Sequence, residues 1–145
     1  MLLHWIWLAH RPGVSDRMKV RLLQHFRDPE DIYYADSEVL CKAAQLSREA
    51  AESLRDKDLD PARQILDQCA QHKLHILTIQ DAGYPSRLKN IPDPPIVLYY
   101  KGHLPEFDEN PVIGVVGTRK ASAYGLTTAK RMGYQIGRCG GIVVS

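Results

Sequence analysis

The stretch VIGVVGTRKASAYG (112–125) constrains this chain more than any other. It is an apolar run, then a Gly-bounded loop, then the opening of a helix. A run that is apolar throughout suits a strand buried on both faces, and such strands belong to parallel sheets covered by helices. Residues 122–138 have helical periodicity, with Leu126, Ala129, Gly133 and Ile136 along one side. GGIVVS (140–145) supplies a second apolar run. Parallel strands need a crossover, and a strand–loop–helix–strand order provides one. Residues 112–145 therefore predict the first β-loop-α-β turn of a doubly wound parallel sheet. Gly133 and Gly137 each weaken a free helix by roughly 1 kcal/mol, so their expected use is close packing. An open α/β domain covers both faces with further strands and helices. The chain therefore reads as a truncated piece of a longer protein. Its bare GIVVS strand is expected to pair or swap with a second copy.

Residues 1–72 carry helical periodicity and few strand signals. HRPGVSDRMKVRLLQHF has a Pro-Gly turn, Ser15 or Asp16 as a helix cap, and an apolar stripe of Val20, Leu23 and Phe26. LSREAAESLRD opens on Ser47 as a cap, and LDPARQILDQCAQHK places Asp60 as cap with Pro61 at the first helical position. About five short helices follow, each too short to stand alone, so they must pack as a bundle. The pattern changes near residue 74. LHILTI (74–79) and IVLYY (96–100) read as strands, separated by the Pro- and Gly-rich QDAGYPSRLKNIPDPP. The expected organisation is a helical domain over 1–72 and a partial α/β domain over 73–145.

Charge separates the two ends. Residues 112–145 carry Arg119, Lys120, Lys130, Arg131 and Arg138, while all 17 acids of the chain lie elsewhere. A cationic segment without acids suits a polyanion or a solvated basic face. In a β-loop-α turn the ligand sits beyond the carboxyl end of the strand, against the free N–H groups of the helix N-terminus. Here Gly117 allows close backbone approach, and Thr118 and Ser122 can donate hydroxyl hydrogen bonds. Arg119 can grip a phosphate in bidentate fashion, and Lys120 adds a mobile charge. Tyr124 can stack on a base or simply pack. The loop is neither G-x-G-x-x-G nor G-x-x-x-x-G-K-[ST], which disfavours a dinucleotide or Walker-type site.

No catalytic constellation, cofactor site or metal site is expected. His4, His10, His25, His72, His75 and His103 are scattered, and Cys41, Cys69 and Cys139 are odd in number with long spacings. Three such cysteines suit a reducing cytoplasm. The start, MLLHWIWLAH, is apolar for only about nine residues, too short to span a membrane and without the flanks of a signal peptide. It predicts a buried first helix.

Together these segments resemble the DNA-processing protein A family, DprA or Smf. YPSRLKNIPDPPIVLYYKG (84–102) matches its Y-P-x-x-L-x-x-I-x-D-x-P-x-x-L-x-x-x-G pattern at Tyr84, Pro85, Leu88, Ile91, Asp93, Pro95, Leu98 and Gly102. VIGVVGTRKASAYG is similar to the family's first Rossmann strand and G-[ST]-R loop. GGIVVS resembles the strand before its S-G-x-A-x-G-I-D loop, which lies past Ser145. The helices resemble its sterile-alpha-motif (SAM) or helix-hairpin-helix domain.

The resemblance implies single-stranded DNA binding without catalysis, protection of incoming DNA in natural transformation, and loading of the RecA recombinase. It also implies a homodimer in the intact protein. Carried over, the loop gives Gly117, Thr118 and Arg119 as DNA contacts, with Lys120 and Ser122 beside them. Where the family often has P-G-[IV]-G, this chain has Pro12-Gly13-Val14-Ser15, so a structural or protein-contact role is expected for that hairpin. Two rival readings stay open: a fragment of a Rossmann-like nucleoside-monophosphate hydrolase, and a helical module that only binds proteins.

Overall fold

The computed structural model describes all residues, Met1–Ser145. Helix and strand are mixed, and the chain divides into two compact units, Met1–Gly102 and His103–Ser145.

The first unit is built around α1 (Leu2–Ala9), whose sequence LLHWIWLA is apolar on nearly every side. Such a helix has no face to give to water and must be enclosed. Trp5, Ile6, Trp7 and Leu8 are all buried. Six helices fill residues 1–72. The others are α2 (Asp16–His25), α3 (Pro29–Tyr34), α4 (Ser37–Ala44), α5 (Arg48–Arg55) and α6 (Asp60–His72). Helix α1 packs against α2, α3 and α6.

Side-chain caps set several helix starts. Ser15 accepts the Met18 N–H, Asp28 those of Glu30 and Asp31, and Ser47 that of Ala50. At α6 the expected cap is corrected: Leu59 holds the cap position and Asp60 is already helical. The Asp58 carboxylate takes the Asp60 N–H at 2.9 Å, and the Asp60 carboxylate instead pairs with Arg63 at 2.7 Å.

Buried polar groups tie the helices together. Lys19, 6% exposed, donates from Nζ to the Ala9 carbonyl at 2.6 Å and to Asp16 at 3.0 Å. This places a cation at the carbonyl end of α1, where the helix dipole favours one. Trp7 Nε1 and Arg11 Nη1 both donate to the Asp56 carbonyl at 3.0 Å, and Arg11 also meets the Asp56 carboxylate at 2.9 Å.

Strands β1 (His75–Thr78) and β2 (Val97–Tyr100) pair antiparallel, from His75 opposite Tyr100 to Thr78 opposite Val97. The expected strands at 74–79 and 96–100 form, the first trimmed by one residue at each end and the second by one at its start. The segment between them holds only a short helix, α7 (Ser86–Lys89). Ile79, Tyr84, Ile96 and Val97 belong to the same buried cluster as Trp7, Leu22 and Leu54. The boundary expected at 72/73 therefore falls inside this unit, because the strand pair completes the core of the helices.

In the second unit β3 (Val112–Gly114) and β4 (Ile142–Val144) pair parallel, Val112 opposite Ile142, and α8 (Ala123–Arg138) makes the crossover. This is the predicted β-loop-α-β order. No residue of 103–145 is buried. The reading of 112–117 as a strand buried on both faces is corrected: regular pairing ends at Gly114 and Val116 is 94% exposed. One helix and two strands leave most of the sheet surface bare. The close packing expected at Gly133 and Gly137 is corrected too, since a Cβ at either would meet nothing within 4 Å.

Candidate functional site

The loop 115–122 joins the carboxyl end of β3 to the N-terminus of α8, and Gly117, Thr118, Arg119, Lys120 and Ser122 are all exposed on it. Ser122 is the N-cap of α8, and its Oγ accepts the Gly125 N–H at 3.1 Å. The remaining first-turn N–H groups of a helix have no partner within it, so they are open to an anion beyond the loop. The Ser122 hydroxyl proton remains free to donate. Thr118 Oγ1 accepts the Lys120 N–H at 3.3 Å, a local turn that fixes the middle of the loop. Arg119 has no ion-pair partner, and the first turn of α8 holds no acid. A Cβ at Gly117 would meet nothing within 4 Å, so its backbone is open to close approach.

Further along α8, an open groove of about 610 Å³ is lined by Tyr124, Thr127, Thr128, Arg131, Met132 and Gln135 among others. The spacing of 124, 127, 128, 131 and 135 puts these residues on one helical face. That face makes Arg131 a cation on the same side as Tyr124, which is 81% exposed. Arg131 was not among the expected contacts, and the periodicity of α8 was the signal for it.

The Pro12–Ser15 hairpin is organised differently. Ser15 is committed to capping α2, and Gly13 has a φ of +70°, with Glu49 crowding the place where a Cβ would sit, at 3.1 Å. An acid therefore stands against the backbone that a phosphate would approach.

His4 and His10 serve the fold. His10 Nε2 meets the Tyr99 hydroxyl at 3.0 Å, and His4 packs on the Tyr33 ring at 4.9 Å. Burial pushes both imidazoles below their ordinary range, for His4 against the raising effect of Glu30 and for His10 with help from Lys19. Burial also pushes the Tyr99 phenol up to about 12. Lys57 Nζ lies 5.0 Å from the ring centres of both Trp7 and Tyr33, and burial, then Arg11, lowers its pKa. No group of three or more His, Cys, Asp and Glu side chains is placed to hold a metal.

Comparison with known proteins gives concordant matches. Residues 75–145 match the model of the family described as DNA recombination-mediator protein A. Protein Smf of Synechocystis is 29% identical over 98% of this chain, which spans 37% of that protein. The DNA processing protein DprA of Bacillus subtilis is 35% identical over 56% of this chain and 27% of its own length. The chain thus corresponds to about a third of the length of these relatives. No solved structure matches it.

Proposed function

The chain belongs to the DNA recombination-mediator protein A (DprA/Smf) family, and from that premise we propose that it binds single-stranded DNA as part of a DNA-processing protein. The observation that carries this reading is the exposed, acid-free loop Gly117–Ser122 at the N-terminus of α8, with Arg119 unpaired. Helix N–H groups, two hydroxyls and two cations are carried by this one exposed loop, which is the chemistry of phosphate capture. Arg119 is the principal phosphate contact and Lys120 a second charge. Gly117 admits the strand, and Thr118 and Ser122 add hydroxyl donors. Tyr124 and Arg131 offer a stacking ring and a further cation along the same helix.

The same reading extends to a Rossmann-like second unit, a SAM-like helical first unit and a cytoplasmic location. For the intact protein it includes homodimerisation, protection of incoming strands and delivery of DNA to the RecA recombinase. It assigns no catalytic step to these residues. The hairpin at Pro12–Ser15 takes no phosphate in this scheme, because Glu49 occupies its approach.

The test is binding of a labelled oligo-dT strand to the parent chain and to Arg119→Ala, between 50 and 200 mM salt. Each phosphate contact to a single strand contributes about −0.7 to the slope of log K against log salt. Contacts from Arg119 and Lys120 give a parent slope of about −1.4 or steeper, and the variant should lose about 0.7 of it. An unchanged affinity and slope would remove Arg119 from the site.

A further inference from the structure

We propose that the first unit carries a second phosphate-binding cleft, between α2 and α4, that grips the backbone of a nucleic-acid strand independently of the Gly117–Ser122 loop. The cleft holds about 400 Å³ and is lined by Arg21, Gln24, His25, Lys42 and Gln45, with Ala43 and Ala44 behind them. Every titratable side chain in that lining is a base. Arg21 and His25 stand one turn apart on α2, which puts them on one face. Arg17 continues the same face one turn earlier, exposed and without a partner.

Three details separate this cleft from an ordinary solvated basic face. First, none of Arg17, Arg21 and Lys42 is in an ion pair. The neighbouring Asp16 is already bound to Lys19 at 3.0 Å, and Glu38, one turn before Lys42 on α4, pairs with nothing. Second, bases near a helix end commonly serve its terminal carbonyls, yet neither Arg21 nor Lys42 donates to a carbonyl where α4 ends at Gln45. Their donors are uncommitted. Third, the His25 ring is oriented: its Nδ1 donates to the Arg21 carbonyl at 2.9 Å, so its Nε2 accepts in the neutral ring and donates to an anion only in the imidazolium. A guanidinium fork, an ammonium and two amide side chains around one concavity match the oxygens of a phosphodiester. The cleft offers little apolar surface for a base, so it would position a strand without reading its sequence.

The identity of the ligand as a nucleic-acid strand rests on the proposed function, while the site itself rests on the cleft. The experiment therefore separates the two. The whole 145-residue chain is titrated with labelled oligo-dT between 50 and 200 mM salt as parent, Arg119→Ala, the pair Arg21→Gln/Lys42→Gln, and all three together. Losing two phosphate contacts should flatten the salt slope by about 1.4, so that this rise in salt weakens the parent about sevenfold more than the pair variant. The pair Arg21→Lys/Lys42→Arg keeps both charges and should keep the parent slope. Loss in the Gln pair with no loss in Arg119→Ala would sustain the cleft and sink the loop. The reverse would sustain the loop and overturn the cleft, as would equal flattening by the charge-keeping pair. A parent slope near zero would overturn both.

Discussion

Tyr84→Phe tests whether the first unit is a helical bundle with a strand pair attached or one body with a shared core. Tyr84 is 5% exposed, and its hydroxyl donates to the Pro95 carbonyl at 2.7 Å, across the Pro-rich connection between β1 and β2. The ring packs in the cluster that holds Trp7 and Leu22. Phe keeps the ring and removes only the hydroxyl, so no cavity complicates the result. The loss is one net hydrogen bond plus part of the cost of a carbonyl left without a partner, together about 1.5 kcal/mol. In a body of this size that lowers the melting temperature by about 6–12 °C.

The assay is direct because the two tryptophans, Trp5 and Trp7, both lie buried in α1. Their fluorescence reports the helical core alone. If the strand pair shares that core, Tyr84→Phe shifts the tryptophan transition by the full amount. An unmoved tryptophan transition would refute the single-core account. A second readout uses the phenol itself, which burial and then the charge of Asp16 push above 10.0. The folded state holds this proton more tightly than the unfolded chain. Its contribution is therefore fully present below pH 10 and fades as pH rises beyond it. Tyr84→Phe should flatten part of that alkaline decline; Tyr99, pushed up to about 12, adds to the decline, while Lys57, lowered by burial, opposes it.

Two further expectations follow from the same physics. His4 and His10 are both held below 6.5 by burial, so the unfolded chain takes up more protons and stability falls as pH drops below about 6.5; the urea midpoint should be higher at pH 7.5 than at pH 5.5, and equal midpoints would contradict the burial of these rings. In the second unit, a Cβ at Gly141 would lie 2.8 Å from Ile136 Cγ2 and 3.1 Å from its carbonyl oxygen. Gly141→Ala should cost about 1–3 kcal/mol and speed exchange of the Val115 amide, which bonds Val144 at 2.8 Å; unchanged protection there would show that the turn absorbs the methyl.

Where local chemistry dominates, the sequence was readable. Ser15 and Ser47 cap helices because a hydroxyl at that position meets free N–H groups, whatever lies elsewhere in the chain. The parallel pairing of β3 with β4 across α8 follows from element order alone. Asp60 was misread because two carboxylates compete there and Asp58 wins the N–H. The grouping of β1 and β2 with the helices was not legible, since the composition change near residue 74 marks a change of secondary structure and not an end of the core. At the candidate site, the loop residues were visible as a motif. The Arg21–His25–Lys42 cleft was not, because Lys42 comes from a different helix and only packing brings it opposite α2.

The enclosure of α1 also governs how the first unit reaches its fold. Its apolar surface is closed partly by helices nearby in sequence and partly by β2, and the His10–Tyr99 contact joins positions 89 residues apart. Until that distant strand arrives, the flank of α1 facing it stays open to other greasy surfaces. Closing so long a loop precedes the reward for closing it, which slows the final step and makes it cooperative. A chain interrupted anywhere before Tyr100 would therefore leave that flank of its most adhesive helix uncovered, and would be more prone to aggregation or capture by chaperones than the closed unit.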